Sequence, residues 1–258
     1  MIRCLCIGLI LLLVGCGGGG GPQRPPATAP APLSASSATI DSLWAQTETN
    51  VRHGKWGDAA KLLDRLLLEF APGDPRIARA HYYLGEAYYA QGRHLEAARE
   101  FRKASDETPN DPIAPEALVR VGDVYSDLWR RPELDPTYGQ TAVATYQELL
   151  NRYPNAAAAK RAQMRVTELN ERFAYKAYRA ALFYFRLKAY DSAILYLKDL
   201  VANYPKAAVV PDALIRLVQA YRRLGYREDV RETCGYIRRF HPKTAGVKEV
   251  CPSQPSGA

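Results

Sequence analysis

Leu84-Gly85-Glu86-Ala87-Tyr88-Tyr89-Ala90-Gln91-Gly92, followed by Ala97, Phe101, Ala104 and Pro109, decides the fold of this 258-residue chain. Apolar and small residues recur three and four apart on both sides of Gly92, which is the period of a helix face. Gly85 and Ala97 are small enough to let two helices approach closely, and Tyr88 and Phe101 can fill the space between them. Gly92 ends the first helix, and Pro109 closes the second. The stretch therefore reads as one helical hairpin with an apolar seam.

The hairpin recurs. Ala97 to Pro109 has the same spacing as Ala142 to Pro154, Ala193 to Pro205 and Val230 to Pro242. Tyr146 and Leu149, Leu197 and Leu200, and Cys234 and Ile237 follow these marks. First helices precede them at Leu118, Val121, Gly122 and Tyr125, at Ala177, Ala181 and Tyr184, and at Leu214, Leu217, Val218 and Tyr221. A looser opening unit contains Gly54, Trp56, Ala59, Leu63, Leu66 and Phe70. No segment alternates as a strand. The unit resembles the tetratricopeptide repeat, so the expected fold is all-α, a superhelix of five helix pairs. Each hairpin has two apolar faces, must stack on its neighbours, and leaves a concave surface suited to peptides or helices.

Two departures interrupt the array. Asp127 to Pro136 is an insertion in the third unit, expected as a loop from its prolines. Between Pro154 and Ala177 there is no Gly or Pro, so Ala156 to Leu187 reads as one long helix. Its cations Lys160, Arg161, Arg165, Arg172, Lys176 and Arg179 suggest that it stands partly free of the solenoid.

Ahead of the repeats, Arg3 and the apolar run Leu5 to Val14 have the proportions of an export signal, too short to span a bilayer. Leu13-Val14-Gly15-Cys16 resembles the lipobox of bacterial lipoproteins, which implies cleavage before Cys16 and lipidation of that cysteine. Gly17 in place of Asp favours the outer membrane by the same resemblance. Gly17 to Gly21 and the prolines up to Pro32 cannot bury a core and read as an extended tether. The expected organisation is a signal peptide over 1–15, lipidated cysteine and tether over 16–38, repeat domain over 39–242 and tail over 243–258. Cys234 and Cys251 remain after processing; in an oxidising compartment they could form a disulfide, or stay a buried thiol and a free one.

The net charge of +8 is unevenly spread. Residues 17–138 carry 14 Lys/Arg against 17 Asp/Glu, whereas residues 139–258 carry 20 against 10. A basic half raises nucleic acid as a partner, but export argues against it, which leaves an acidic protein surface, anionic lipid headgroups or a solvated face.

In the second unit, Tyr82, Glu86 and Tyr89 fall on the stripe beside the core positions. Trp44 and Glu48 hold equivalent places in the first unit, and Asp123 in the third. Together they would line one peptide groove of aromatic shelves and carboxylates; alternatively, the tyrosines cover neighbouring repeats. Catalysis and metal binding find no support. His53, His81, His94 and His241 lack partners at ligand spacing, and there is no nucleophile elbow or phosphate loop. No cofactor is expected.

With Cys16, the five units, Asp135-Pro136 before Ala142, the long helix, Tyr146 to Pro154 and Asn203-Tyr204-Pro205, the chain resembles the BamD family of lipoproteins over Thr39 to Pro242. That resemblance implies a scaffold, not an enzyme, at the periplasmic face of the outer membrane, where β-barrel proteins are assembled. Its C-terminal repeats would hold the central Omp85-type subunit, alongside other assembly lipoproteins. Its N-terminal repeats would receive targeting segments of unfolded outer-membrane proteins. The family's ion-pairing arginine in the fourth unit falls at Tyr196, so that contact does not carry over. Arg186, Lys188 and Lys198 lie nearby, and Arg222, Arg223 and Arg227 could meet an acidic partner. The competing reading is a periplasmic repeat adaptor for envelope constriction, peptidoglycan synthesis or secretin and pilus assembly.

Overall fold

A computed structural model describes residues 36–251. The signal, Cys16, the tether up to residue 35 and the tail from 252 lie outside the described residues. Within them there are eleven helices and no strand. Ten make five antiparallel hairpins: α1 (Ser37–Arg52) with α2 (Trp56–Glu69), α3 (Ile77–Ala90) with α4 (His94–Asp106), α5 (Ala114–Leu128) with α6 (Thr137–Arg152), α7 (Ala157–Arg186) with α8 (Tyr190–Asn203), and α9 (Val210–Leu224) with α10 (Arg227–Phe240). Each helix packs on the next in the chain; α3 also touches α5, α5 touches α7 and α7 touches α9. α3, α5, α7 and α9 thus run along the inner layer of a tetratricopeptide-repeat superhelix.

The repeat marks do the packing expected of them. Gly85 of α3 lies so close to Phe101 of α4 that an added Cβ would sit 2.7 Å from the ring. Gly122 of α5 and Tyr146 of α6 repeat the arrangement one unit later. Phe101 and Tyr146 are fully buried. Gly92 takes φ +76° after α3 and Gly225 φ +77° after α9, the left-handed turn that releases the chain from a helix. Tyr153, Tyr204 and His241 close α6, α8 and α10 with φ near −130°. Each precedes a proline, whose ring excludes the helical conformation for the residue before it.

The long helix is present as α7, but it does not stand free. Ala158, Ala162, Val166, Leu169, Phe173, Ala174 and Ala181 bury a continuous stripe along it. Four of its cations are tied back: Arg161 pairs with Glu116, Arg165 with Asp123, and Arg172 donates to the Trp129 carbonyl. Lys176 donates to the carbonyls of Glu133 and Leu134 at 3.1 and 2.7 Å. The insertion is a loop only from Trp129 onward, Asp127 and Leu128 continuing α5, and it is not a purely solvated one. Trp129 is 2% exposed, stacks on Phe173 with ring centroids 4.3 Å apart, and has the Arg172 guanidinium over its other face. Gly139 is where the indole passes close to the α6 backbone.

The stretch expected as tail also contains structure. α11 (Val247–Val250) packs on α9 and α10, and Cys251 is joined to Cys234 in a disulfide with Cα atoms 5.5 Å apart. Val247, Val250 and both cysteines belong to the last hydrophobic cluster, so this segment caps the array. A terminal repeat otherwise leaves an apolar face open.

Candidate functional site

A polar depression of about 600 Å³ lies against the inner layer. Tyr89 comes from α3, Arg120, Asp123 and Asp127 from α5, Arg130 from the insertion, and Arg165 and Arg172 from α7. These positions converge because three successive inner helices lie side by side and the insertion folds over the end of α5.

Its electrostatics are those of a matched network. Arg120 grips Glu86 with two parallel hydrogen bonds, Nε to Oε1 at 2.6 Å and Nη2 to Oε2 at 3.0 Å. Its Nη1 lies 3.6 Å from Asp123, and its guanidinium sits 4.6 Å from the Tyr89 ring centre. Tyr146 donates its hydroxyl to Asp123 at 2.6 Å, and Arg165 approaches the same carboxylate at 3.4 Å. Tyr89 donates to Asp127. Burial and the neighbouring Glu86 carboxylate push the Tyr82 phenol up to about 12. The hydrogen bond to Asp127, followed by burial, raises Tyr89 above the ordinary phenol range. Both tyrosines therefore stay protonated. Arg130 has no ion-pair partner among the described residues, and Arg172 is bonded only to a carbonyl. The site can thus offer an aromatic wall and free guanidinium edges. Each carboxylate is held by an arginine or a tyrosine, and no histidine lines the depression. That arrangement suits binding rather than proton transfer.

Of the six residues expected in one groove, Tyr89 and Asp123 line the depression and Glu86 stands behind Arg120. Tyr82 stays beside Glu86 while packing edge-on against Phe101 at 5.4 Å; Trp44 and Glu48 lie apart from them. Trp44 stacks on Tyr83 and meets Phe70 edge-on at 6.0 Å, within the core between the first two units. Glu48 is 4.0 Å from Arg79. The carboxylates Glu86 and Asp123 are ion-paired with Arg120. Arg120 was the missed residue, although a signal exists: it lies thirty-four positions after Glu86, one repeat period, which places the two at matching points of adjacent units.

The seven expected interface residues do not form one patch. Arg186 lines a depression with Glu133, Lys176, Arg179 and Phe183. Lys198 edges a groove of about 330 Å³ between α8, α9 and α10, with Leu214, Leu217, Tyr221 and Tyr236. Arg222 and Arg227 flank the disulfide. Lys188 and Arg223 are exposed, and Tyr196 stacks on Tyr184 of α7 at 5.3 Å. His81 is buried, with Nδ1 2.7 Å from Glu100, and among the described residues no group of acidic, histidine and cysteine side chains could hold a metal ion. No helix among them is long and apolar enough to cross a membrane.

Comparison with known proteins places this architecture. The family described as YfiO, outer membrane lipoprotein, matches residues 37–234, from the first residue of α1 to the middle of α10. The outer membrane protein assembly factor BamD of Xylella fastidiosa is 28% identical over 199 residues, covering 72% of this chain and 67% of the relative. The BamD of Neisseria meningitidis serogroup A is 23% identical over 218 residues, 80% of either chain. Among solved structures, the P58(IPK) TPR domain is 14% identical, with a TM-score of 0.43, over 82% of this chain and 54% of that one. Since the match takes in the first four hairpins, the insertion between α5 and α6, and the fifth hairpin as far as the middle of α10, this chain belongs to the YfiO family of outer membrane lipoproteins, the family of the assembly factors named BamD.

Proposed function

We propose that the chain is a non-catalytic scaffold of the machinery that assembles β-barrel proteins in the outer membrane, anchored at the periplasmic face through lipidated Cys16 and the tether behind it. The family match over residues 37–234 carries this reading. In it, the depression beneath Tyr89, Arg120 and Arg130 receives targeting segments of unfolded outer-membrane proteins. A β-strand segment alternates apolar and aromatic side chains and brings unpaired backbone groups, and a wall of one tyrosine ring and several guanidinium donors complements both. The C-terminal repeats dock the central Omp85-type subunit, with the apolar groove beside Lys198 as the seat.

The test is affinity purification of the tagged, full-length lipoprotein from mildly solubilised native membranes, with mass spectrometry of what accompanies it. An Omp85-type barrel protein in near-stoichiometric amount is expected. Its absence, with a secretin or an envelope-constriction protein in its place, would overturn the assembly reading in favour of an adaptor. Replacing Cys16 by Ser should move the chain from the membrane to the soluble fraction.

A further inference from the structure

The charge on α10 is sorted by flank. Arg227, Arg231, Cys234 and Arg238 follow at i, i+4, i+7 and i+11, and so share one face of the helix. Asp229 and Glu232 line the opposite flank, toward the groove with α8 and α9. On the basic flank, Arg222 from the last turn of α9 joins Arg227, Arg231 and Arg238 around a depression of about 400 Å³. Val230 and the Cys234–Cys251 disulfide complete its lining, which contains no carboxylate. Arg231 pairs with Glu228, which lies outside the lining, and Arg238 donates to the Cys251 carbonyl at 3.3 Å. Neither Arg222 nor Arg227 has an ion-pair partner among the described residues.

Arg222 and Arg227, without a carboxylate partner among the described residues, stand beside Arg231 and Arg238 in a depression whose field favours an anion. The donor set is all arginine, whose planar fork matches the oxygens of a phosphate two at a time. The depression is compact, the size of a single headgroup, whereas an acidic peptide segment would call for a longer channel. We infer that this depression binds a phosphate-bearing anion, either a phospholipid headgroup or a soluble phosphate ester, at the capped end of the array. The disulfide is structural to the site: it fixes α11 and Cys251 as part of its wall, so the site should persist only while the bond is oxidised.

The experiment uses the full-length lipoprotein in neutral detergent micelles. Inorganic phosphate and glycerol 3-phosphate are titrated in one arm, and phosphatidylglycerol is doped into the micelles in the other, with Arg222 and Arg227 side-chain Nε–H resonances as the readout. Saturable shifts are expected in at least one arm. The arm that saturates at the lower phosphate concentration identifies the source. Arg222→Ala and Arg227→Ala should each raise the dissociation constant about tenfold, as expected for one charge-assisted contact. Arg223→Ala, outside the lining, should leave it unchanged, and reduction of the disulfide should weaken binding. No saturation in either arm would overturn the proposal. So would an equal loss in Arg223→Ala, which marks diffuse attraction, or an oligoglutamate peptide that displaces the probe at lower concentration than phosphate does. Undiminished binding after reduction would remove the disulfide from the site.

Discussion

Gly122 gives the sharpest test of how the array is packed. A methyl group added there would run into the ring of Tyr146, which is fully buried and fixed at its far end by the hydroxyl bond to Asp123. The ring cannot swing away without breaking that bond, so Gly122→Ala should cost near the upper end of the range for overpacking, about 3 kcal/mol. Alanine returns about 1 kcal/mol through helix propensity. The net loss of about 2 kcal/mol corresponds to a fall in Tm of roughly 4–8 °C for a domain of this size. Gly235, inside α10, supplies the control, because an added Cβ there meets nothing within 4 Å. Gly235→Ala should stabilise by about 0.5–1 kcal/mol. Both variants are to be followed by thermal and denaturant unfolding, together with Gly122→Ala in a Tyr146→Leu background. The smaller side chain should absorb part of the clash, making the double variant less costly than the sum of the singles. A rise in Tm for Gly122→Ala like that of Gly235→Ala, or strict additivity in the cycle, would refute the close approach of α5 and α6.

Arg172→Ala removes the bond to the Trp129 carbonyl and the cation over its ring, about 1–2 kcal/mol together, so trypsin should cut after Arg130 roughly 5–30-fold faster in timed proteolysis. Equal rates would mean that the insertion is held by other contacts. At Glu148 burial raises the carboxyl pKa, but the hydrogen bonds from Arg102 and Arg152, at 2.6 and 2.7 Å, outweigh it and hold the group below its ordinary value. Its stabilisation is therefore present above the ordinary carboxylate pKa and lost as pH falls through the lowered one. Glu148→Gln should cost about 0.5–1 kcal/mol near neutrality, allowing for solvent screening, and the gap from wild type should close in acid; a gap of constant size from pH 7 to pH 3 would contradict this. Lys188 stands at φ +59°, the one non-glycine residue with positive φ among those described, in the turn where α3 uses Gly92. Lys188→Gly should raise stability by about 0.5–1 kcal/mol, read as a Tm increase, and a decrease would show that the lysine side chain contributes contacts of its own.

The helices were legible because their signals are local. Gly85 with Phe101 and Gly122 with Tyr146 are paired within one hairpin, at spacings a reader can line up. The uninterrupted run without Gly or Pro announced α7 to within a residue at either end. What stayed hidden depends on contacts between units. Nothing near Trp129 shows that its ring is buried, because Phe173 and Gly139 arrive from later helices and its neighbours are prolines and charges. The pairing of Glu86 was hidden for the same reason: its partner Arg120 comes from another helix. The basic half of the chain was read as one field. In the folded chain Arg161, Arg165, Arg172 and Lys176 of α7 are taken up by carboxylates and carbonyls, while Arg227, Arg231 and Arg238 of α10 share one flank.

α7 turns these separate observations into one mechanical argument. At 30 residues it is about 45 Å long. Its first half buries Ala158, Ala162, Val166, Leu169 and Phe173 in the core shared with α5 and α6, and its second half carries Ala174 and Ala181 into the core of the last two units. In an ordinary repeat array each interface is made by short helices and can open independently. Here no boundary between the third and fourth units can open without bending a continuous helix or exposing one of the two cores. The same helix presents Arg165 and Arg172 to the depression under Tyr89, and Arg172 also fixes the insertion that walls it. The position of the peptide-sized depression is therefore set by the same rigid element that positions the C-terminal repeats.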